Sequence, residues 1–228
     1  MPPTLRAQSD CDVGVAPEVG GIRRGLLCVC YDHAGDPMRA FFCIPLQPVV
    51  ATSIDRIARD IRDATRMRAR WVRRENYHIT LRFLGEIDPL MTVELERIAR
   101  RVTGRLEPFT VILDGLGCFP SVDRARVLWI GGEPPPAFYG LVSSLHHELR
   151  KLGFPMERRE TGAHVTLARL RGRADPKLGR VLDDVPRPSK LGALADRIVL
   201  MESILGPAGP TYTALCTTRF RGRESDGH

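Results

Sequence analysis

A short pattern, His-x-Thr-x, occurs twice in this chain, each time inside an apolar run typical of a β-strand. The two copies are His78-Ile-Thr-Leu81 and His164-Val-Thr-Leu167. A predicted strand and an amphipathic helix precede each copy, so each half of the chain has the same order of strand, helix and strand. This repetition predicts two similar lobes, each of which ends in one His-x-Thr-x strand.

The remaining elements follow from hydrophobic periodicity. In the first half we predict strands at residues 39–46, 77–85 and 109–116, a helix with Ile54, Ile57 and Ile61 on its buried face, and a second helix after Asp88-Pro89. In the second half we predict strands at 126–131 and 163–170 around a helix that Gly153 ends. A polar stretch at 175–190 precedes two further strands at 198–205 and 212–220.

We expect one two-lobed domain at residues 38–221. Residues 1–37 show no sustained periodicity and are predicted to be a disordered extension, and translation could begin at Met38. Residues 222–228 are expected to form a loose tail.

The composition favours a folded protein with a polyanionic partner. Of the 228 residues, 43% are hydrophobic, which is enough for a buried core. The net charge is +7, and because residues 1–37 contain three arginines and five acidic residues, the rest carries +9. Six scattered cysteines without a Cys-x-x-Cys pair indicate reduced thiols. Without a signal pattern or an apolar run of about 20 residues, we expect a cytoplasmic protein that does not bind membranes.

Each histidine shares a strand face with the threonine two residues on, so His78 pairs with Thr80 and His164 with Thr166. Where the lobes meet about a pseudo-twofold axis, two imidazoles and two hydroxyls converge. Cleavage of a cyclic phosphodiester needs a base for the attacking water and an acid for the leaving oxygen. Histidine can serve as either near neutral pH, and threonine can donate hydrogen bonds to the phosphate oxygens.

Two other interpretations of these histidines are less favoured. A single strand histidine is more often structural than catalytic, but two copies in matching positions indicate catalysis. A metal site is disfavoured because each motif offers one good ligand and has no Asp, Glu or Cys two residues on. We therefore expect neither a metal nor another cofactor.

Residues 71–85, Arg126-Val-Leu-Trp129 and residues 164–169 resemble the two-histidine phosphoesterases, and more narrowly the bacterial and archaeal RNA 2',3'-cyclic phosphodiesterases, also called 2'-5' RNA ligases. The resemblance extends from residue 39 to residue 220. It implies an α+β fold in which antiparallel sheets of two lobes flank a central cleft. It also implies metal-independent hydrolysis of an RNA 2',3'-cyclic phosphate to a 2'-phosphomonoester.

The resemblance also implies roles for individual residues. His78 corresponds to the proton donor for the departing 3' oxygen and His164 to the proton acceptor that activates water, whereas spacing alone leaves these two roles open. Thr80 and Thr166 correspond to the phosphate-binding threonines.

Two arginines are candidates for phosphate binding. Strand parity places Arg82 on the face of His78 and places Arg169 on the face away from His164. The family position favours Arg169, and a bulge or strand end after Leu167 would reconcile it with the parity.

For the RNA itself, Phe119, Trp129 and Tyr212 are candidate stacking residues, although Trp129 fits a core position equally well. Residues 56–74 contain eight arginines that could contact phosphates, and a solvated helix face explains most of them equally well. We expect a monomer that acts on RNA with 2',3'-cyclic phosphate ends, with tRNA fragments among the candidate substrates.

Other functions fit the same residues. The cleft could act as a 2'-5' RNA ligase, cleave 2'-5' linkages or cleave a small cyclic nucleotide. A non-catalytic protein that binds RNA ends is a second class, and a protein-interaction module is a third. Salt-sensitive binding without turnover would indicate the non-catalytic RNA-end binder.

Overall fold

A computed structural model describes residues 36–156, 162–186, 191–207 and 209–221. The predicted disordered extension and the predicted loose tail therefore lie almost entirely outside the described residues. Within these residues, no helix is long and apolar enough to cross a membrane.

The described chain contains ten strands and four α-helices. The strands are β1 (Met38–Pro45), β2 (Ala69–Trp71), β3 (His78–Ile87), β4 (Phe109–Leu113), β5 (Gly115–Phe119), β6 (Val127–Gly131), β7 (His164–Leu170), β8 (Leu191–Ala195), β9 (Arg197–Gly206) and β10 (Gly209–Arg219). The helices are α1 (Pro48–Ala64), α2 (Thr92–Thr103), α3 (Pro136–Lys151) and α4 (Leu178–Asp184).

The main sheet has eight antiparallel strands, and its main path runs in the order β10-β9-β1-β3-β7-β6-β5. β2 adds to β7, while β4 and β8 form a separate antiparallel pair. The repeat β1-α1-β3 and the repeat β6-α3-β7 each end in a His-x-Thr-x strand, and these two closing strands are neighbours in the sheet. The predicted α+β fold with duplicated strand-helix-strand lobes is confirmed.

The helices pack on one face of the main sheet, since α1 contacts β7, α2 contacts β9 and β10, and α3 contacts β3. Alternate residues of the two central strands point into this packing, and Ile79, Leu81, Val165 and Leu167 are completely buried. The other residues of the motifs are only partly buried. The sheet therefore presents its histidines and threonines on the face away from the helices.

The strand predicted at residues 109–116 is divided into two, because the chain changes sheets at Asp114 between β4 and β5. The Asp114 amide donates to the carbonyl oxygen of Gly131 at 3.0 Å. A Cβ on Gly132 would lie 2.2 Å from the carbonyl oxygen of Ile112, so glycine permits this close passage. The periodicity of the sequence continues through the change of sheet and does not reveal it.

The polar stretch at 175–190 contains a short helix, α4, which the sequence analysis did not predict. Leu178 and Leu182 are its buried residues, and together with Val181 they have helical spacing, but a helix of seven residues gives too short a pattern to stand out in a polar stretch. Gly153 follows α3 with a φ of 86°, which confirms the predicted end of that helix.

Candidate active site

The two His-x-Thr-x strands meet at one residue pair, Ile79 opposite Val165. In an antiparallel register this pair places His78 across from Thr166 and Thr80 across from His164. The two histidines are therefore diagonal neighbours, with Cα atoms on the order of 7 to 8 Å apart. The structure brings together the four residues that the sequence analysis selected.

Both imidazole rings are held in the same way. The Nδ1 of His78 donates to the carbonyl oxygen of Asn76 at 2.7 Å, and the Nδ1 of His164 donates to the carbonyl oxygen of Gly162 at 3.1 Å. A carbonyl oxygen only accepts, so each neutral ring carries its proton on Nδ1. Each Nε2 is then an acceptor when the ring is neutral and a donor when the ring is protonated.

Aromatic side chains surround His78. The ring of Phe41 lies 4.9 Å from it, and the ring of Tyr212 stands edge-on at 5.3 Å. Burial lowers the pKa of His78 from 6.5 to about 4, against the hydrogen bond to Asn76, which raises it. The free protein therefore holds this ring neutral at neutral pH.

A second aromatic pair surrounds His164. Phe119 stands edge-on at 5.2 Å and Trp129 lies at 6.2 Å, measured between ring centroids. Burial lowers the pKa of His164 as well, the hydrogen bond to Gly162 raises it, and the positive charge of Arg169 lowers it further. The two rings thus have similar surroundings in the two repeats.

Bulges in both central strands change the face of the residues after each motif. In β7, Trp129 pairs with Thr166 and Leu128 pairs with Ala168, so Leu167 is an extra residue. Arg169 is exposed and influences the pKa values of both histidines, which places it on their face of the sheet. The structure therefore contains the bulge that reconciles strand parity with the family position.

The parity prediction for Arg82 is wrong for the same reason. In β3, Cys43 pairs with Thr80 and Phe42 pairs with Arg82, so Leu81 is the extra residue. Arg82 consequently points to the helix side, is 5% exposed and donates from Nη2 to the carbonyl oxygen of Pro155. It does not line the face that carries His78.

Sequence reasoning missed three neighbours of the motif residues. Phe41 was included in a predicted strand without being assigned to the site. Its alternation with Phe42, which lies in the core, would place it on the face opposite the core. Gly117 lies beneath the Trp129 ring, where an added Cβ would be 2.3 Å from a ring carbon. Cys43 lies beside Thr80, and burial raises the pKa of its thiol, so this sulfur stays protonated.

The side chains on this face suit proton transfer at an anion. Neither Thr80 nor Thr166 forms a side-chain hydrogen bond to another described residue, and Arg169 adds a positive charge beside them. In the described ranges, no three His, Cys, Asp or Glu side chains cluster as a metal site would require. Two opposed imidazoles with flanking hydroxyls define a two-histidine phosphoesterase.

Comparison with known proteins agrees with this class. The family model described as LigT-like phosphoesterase matches residues 44–129 and 132–212. The chain therefore belongs to the LigT-like phosphoesterase family. Two curated relatives carry the name RNA 2',3'-cyclic phosphodiesterase. The protein from Methanothermobacter thermautotrophicus is 32% identical over 77% of this chain and 95% of its own length, and that from Aeropyrum pernix is 36% identical over 71% and 93%.

Solved structures show the same fold. A crystal structure of a Thermus thermophilus protein matches 82% of this chain and 100% of its own, with a TM-score of 0.70 and 25% identity. The crystal structure of E. coli LigT complexed with 3'-AMP matches 81% of this chain and 99% of its own, with a TM-score of 0.66 and 26% identity.

Proposed function

We propose that this protein hydrolyses the 2',3'-cyclic phosphate at an RNA 3' end to a 2'-phosphomonoester and a free 3' hydroxyl. The observation that carries the proposal is the diagonal pair His78 and His164, each with Nε2 available and each across from a threonine. The name of the curated relatives supports this substrate.

The proposed step is one in-line displacement at phosphorus. The Nε2 of His164 accepts a proton from water while the water oxygen forms a bond to phosphorus. The bond between phosphorus and O3' breaks on the opposite side, and the Nε2 of His78 donates its proton to O3'. His164 gains one proton and His78 loses one, so the two rings exchange their protonation states. Proton transfer through solvent restores them.

The assignment of donor and acceptor rests on the family resemblance, because the strand geometry is nearly symmetric. The electrostatics support one protonated and one neutral histidine when the phosphodiester is bound. Burial alone favours two neutral rings, but the negative charge of the bound phosphodiester favours a protonated ring beside it. Binding of the anion thus supplies the acid that the reaction needs.

Three side chains are proposed to hold the phosphate. The hydroxyls of Thr80 and Thr166 donate hydrogen bonds to its non-bridging oxygens, and Arg169 stabilises the negative charge that these oxygens carry. Arg82 is not included, because its guanidinium group is buried on the helix side and donates to Pro155.

The terminal base is proposed to stack on Phe119. This ring is 43% exposed and contacts both His164 and Trp129. Trp129 packs behind it against Gly117, and Tyr212 packs against His78, so both serve as supports for the site. Stacking on an aromatic ring contributes about 1 to 3 kcal/mol per base.

A single-turnover reaction tests the proposal. A short RNA with a 2',3'-cyclic phosphate end is incubated in EDTA with wild type, His78→Ala, His164→Ala and the exposed control His147→Ala. Mass and phosphatase sensitivity identify the product as a 2'-monophosphate. We expect both motif variants to be slower by about 10² or more and the control to match wild type.

Two results would contradict the proposal. The first is no hydrolysis by wild type, with salt-sensitive binding of the same RNA, which would indicate a protein that binds RNA ends. The second is joining of the 2',3'-cyclic phosphate end to a 5'-hydroxyl end at a higher rate than hydrolysis, which would indicate a ligase.

A further inference from the structure

A groove with six arginines lies beside the end of β7. Its volume is 1210 Å³. The walls come from the last turn of α1 and the segment after it, from β2, from the segment after β7 and from the turn after β9. The arginines are Arg62, Arg66, Arg68, Arg70, Arg171 and Arg173.

These arginines differ from those of an ion-paired helix face. In the described part of the chain none of the six forms an ion pair, and no lining residue is acidic. Asp175 lies nearby and accepts hydrogen bonds from the backbone amides of Arg66 and Lys177. In α2, by contrast, Arg100 forms an ion pair with Glu96 at 2.6 Å. Five of the six groove arginines are exposed, and Arg70 is half-buried.

The groove continues the face that carries the motif residues. Arg70 of β2 lies directly opposite Arg169 of β7, and residues opposite each other in an antiparallel pair share a face. At about 3.3 Å per residue, and without the bulged Leu167, Arg169 lies about 13 Å and Arg171 about 20 Å along the strand direction from His164. A stacked strand advances about 3.4 Å along its axis per phosphate, so these distances correspond to about four to six nucleotides.

We propose that this arginine groove binds the phosphodiester backbone of the nucleotides that lie 5' to the terminal cyclic phosphate. The inference rests on the proposed function, because the cyclic phosphate fixes the 3' end of the RNA at the two histidines. The rest of the RNA then runs in the 5' direction, and guanidinium groups without an ion pair beside the end of β7 match a series of phosphates. The preferred substrate is an oligonucleotide with a single-stranded 3' end.

The kinetic test compares two substrates for each protein. One is a mononucleotide 2',3'-cyclic phosphate, and the other is an RNA of about ten nucleotides with the same end, which is long enough for the groove. The groove variant combines Arg68→Gln, Arg171→Gln and Arg173→Gln. The control combines Arg105→Gln, Arg150→Gln and Arg180→Gln, which are exposed arginines outside the groove.

The readout is the ratio of kcat/KM for the long RNA to kcat/KM for the mononucleotide. We expect the ratio to fall at least about tenfold in the groove variant and to stay at the wild-type value in the control, which carries the same change in net charge. An equal ratio in all three proteins would overturn the proposal.

A binding measurement separates this proposal from the proposed function. An RNA of about ten nucleotides with a 3' hydroxyl is titrated at several salt concentrations. Three lost phosphate contacts should make the slope of log K against log salt shallower by about 2 in the groove variant. If wild type does not hydrolyse the cyclic phosphate, the proposed function is rejected, but the binding measurement still tests the groove. An unchanged slope, or equally strong binding of ATP that the variant loses, would overturn the RNA backbone as the ligand.

Discussion

Arg169 occupies the position in the second repeat that Phe83 occupies in the first. Each is the third residue after the motif threonine, and each follows a bulge at the leucine of its motif. Phe83 is 55% exposed and packs against Phe41, whereas Arg169 acts on the pKa values of both histidines. The duplicated site is therefore asymmetric in charge, with its cation on the strand of His164.

This asymmetry predicts different effects for two arginine substitutions. Arg169→Gln is expected to lower kcat/KM about 10²-fold without a large change in Tm, because it removes a charge beside the phosphate. Arg82→Gln is expected to lower the free energy of unfolding by about 1 to 3 kcal/mol, because it removes a buried hydrogen bond to Pro155. Steady-state kinetics and thermal unfolding of both variants measure these effects. A selective loss of kcat/KM in Arg82→Gln at unchanged Tm would contradict the placement.

Arg169 and Arg82 also show how much of the site could be predicted from the sequence. The paired motifs identified the four central residues and the family, because residue type and the period of two carry that information. An extra residue in a strand leaves no mark in the pattern, so parity alone placed Arg82 on the wrong face. The break at Asp114 was missed for a related reason, since its cause is the close approach of Gly131 and Gly132 from a distant part of the chain.

The lowered pKa values predict the pH dependence of the reaction. In the free protein, the protonated fraction of His78 falls tenfold for each pH unit above about 4. We therefore expect kcat/KM to have its optimum below 6.5 and to decrease through neutral pH. The optimum of kcat should lie at higher pH, because the bound phosphate anion favours protonation. Profiles from initial rates with the mononucleotide substrate measure both, and coincident optima would contradict this explanation.

Acid should destabilise the fold through His78. Its pKa is lower in the folded state than the unfolded value of 6.5, so the unfolded state binds more protons as the pH falls from 6.5 towards 4. Stability is lost over that range, by up to about 2 kcal/mol near pH 5 from this group. Urea unfolding near pH 7 and near pH 5 should show a smaller loss in His78→Gln than in wild type. The exposed control His147→Gln should show the wild-type loss.

Gly117 is expected to be required for the position of Trp129. A Cβ at residue 117 would meet the indole ring at 2.3 Å, and this ring packs against Phe119 and His164. Gly117→Ala should therefore lower kcat more than about tenfold, and a combined Trp129→Phe change should restore part of it. The control is Gly140→Ala in α3, where an added Cβ meets nothing within 4 Å. Additive losses in the double variant would contradict the contact.

The roles of the two histidines can be separated by changing the leaving atom. A 2',3'-cyclic substrate with sulfur in place of the bridging 3' oxygen expels a thiolate, which needs no proton from a general acid. If His78 donates the proton, His78→Ala should lose about 10² or more on the oxygen substrate and much less on the sulfur substrate. His164→Ala should lose about the same on both, because water must still be deprotonated. Rapid-quench rates on the two substrates measure this difference, and relief of His164→Ala in place of His78→Ala would reverse the two roles.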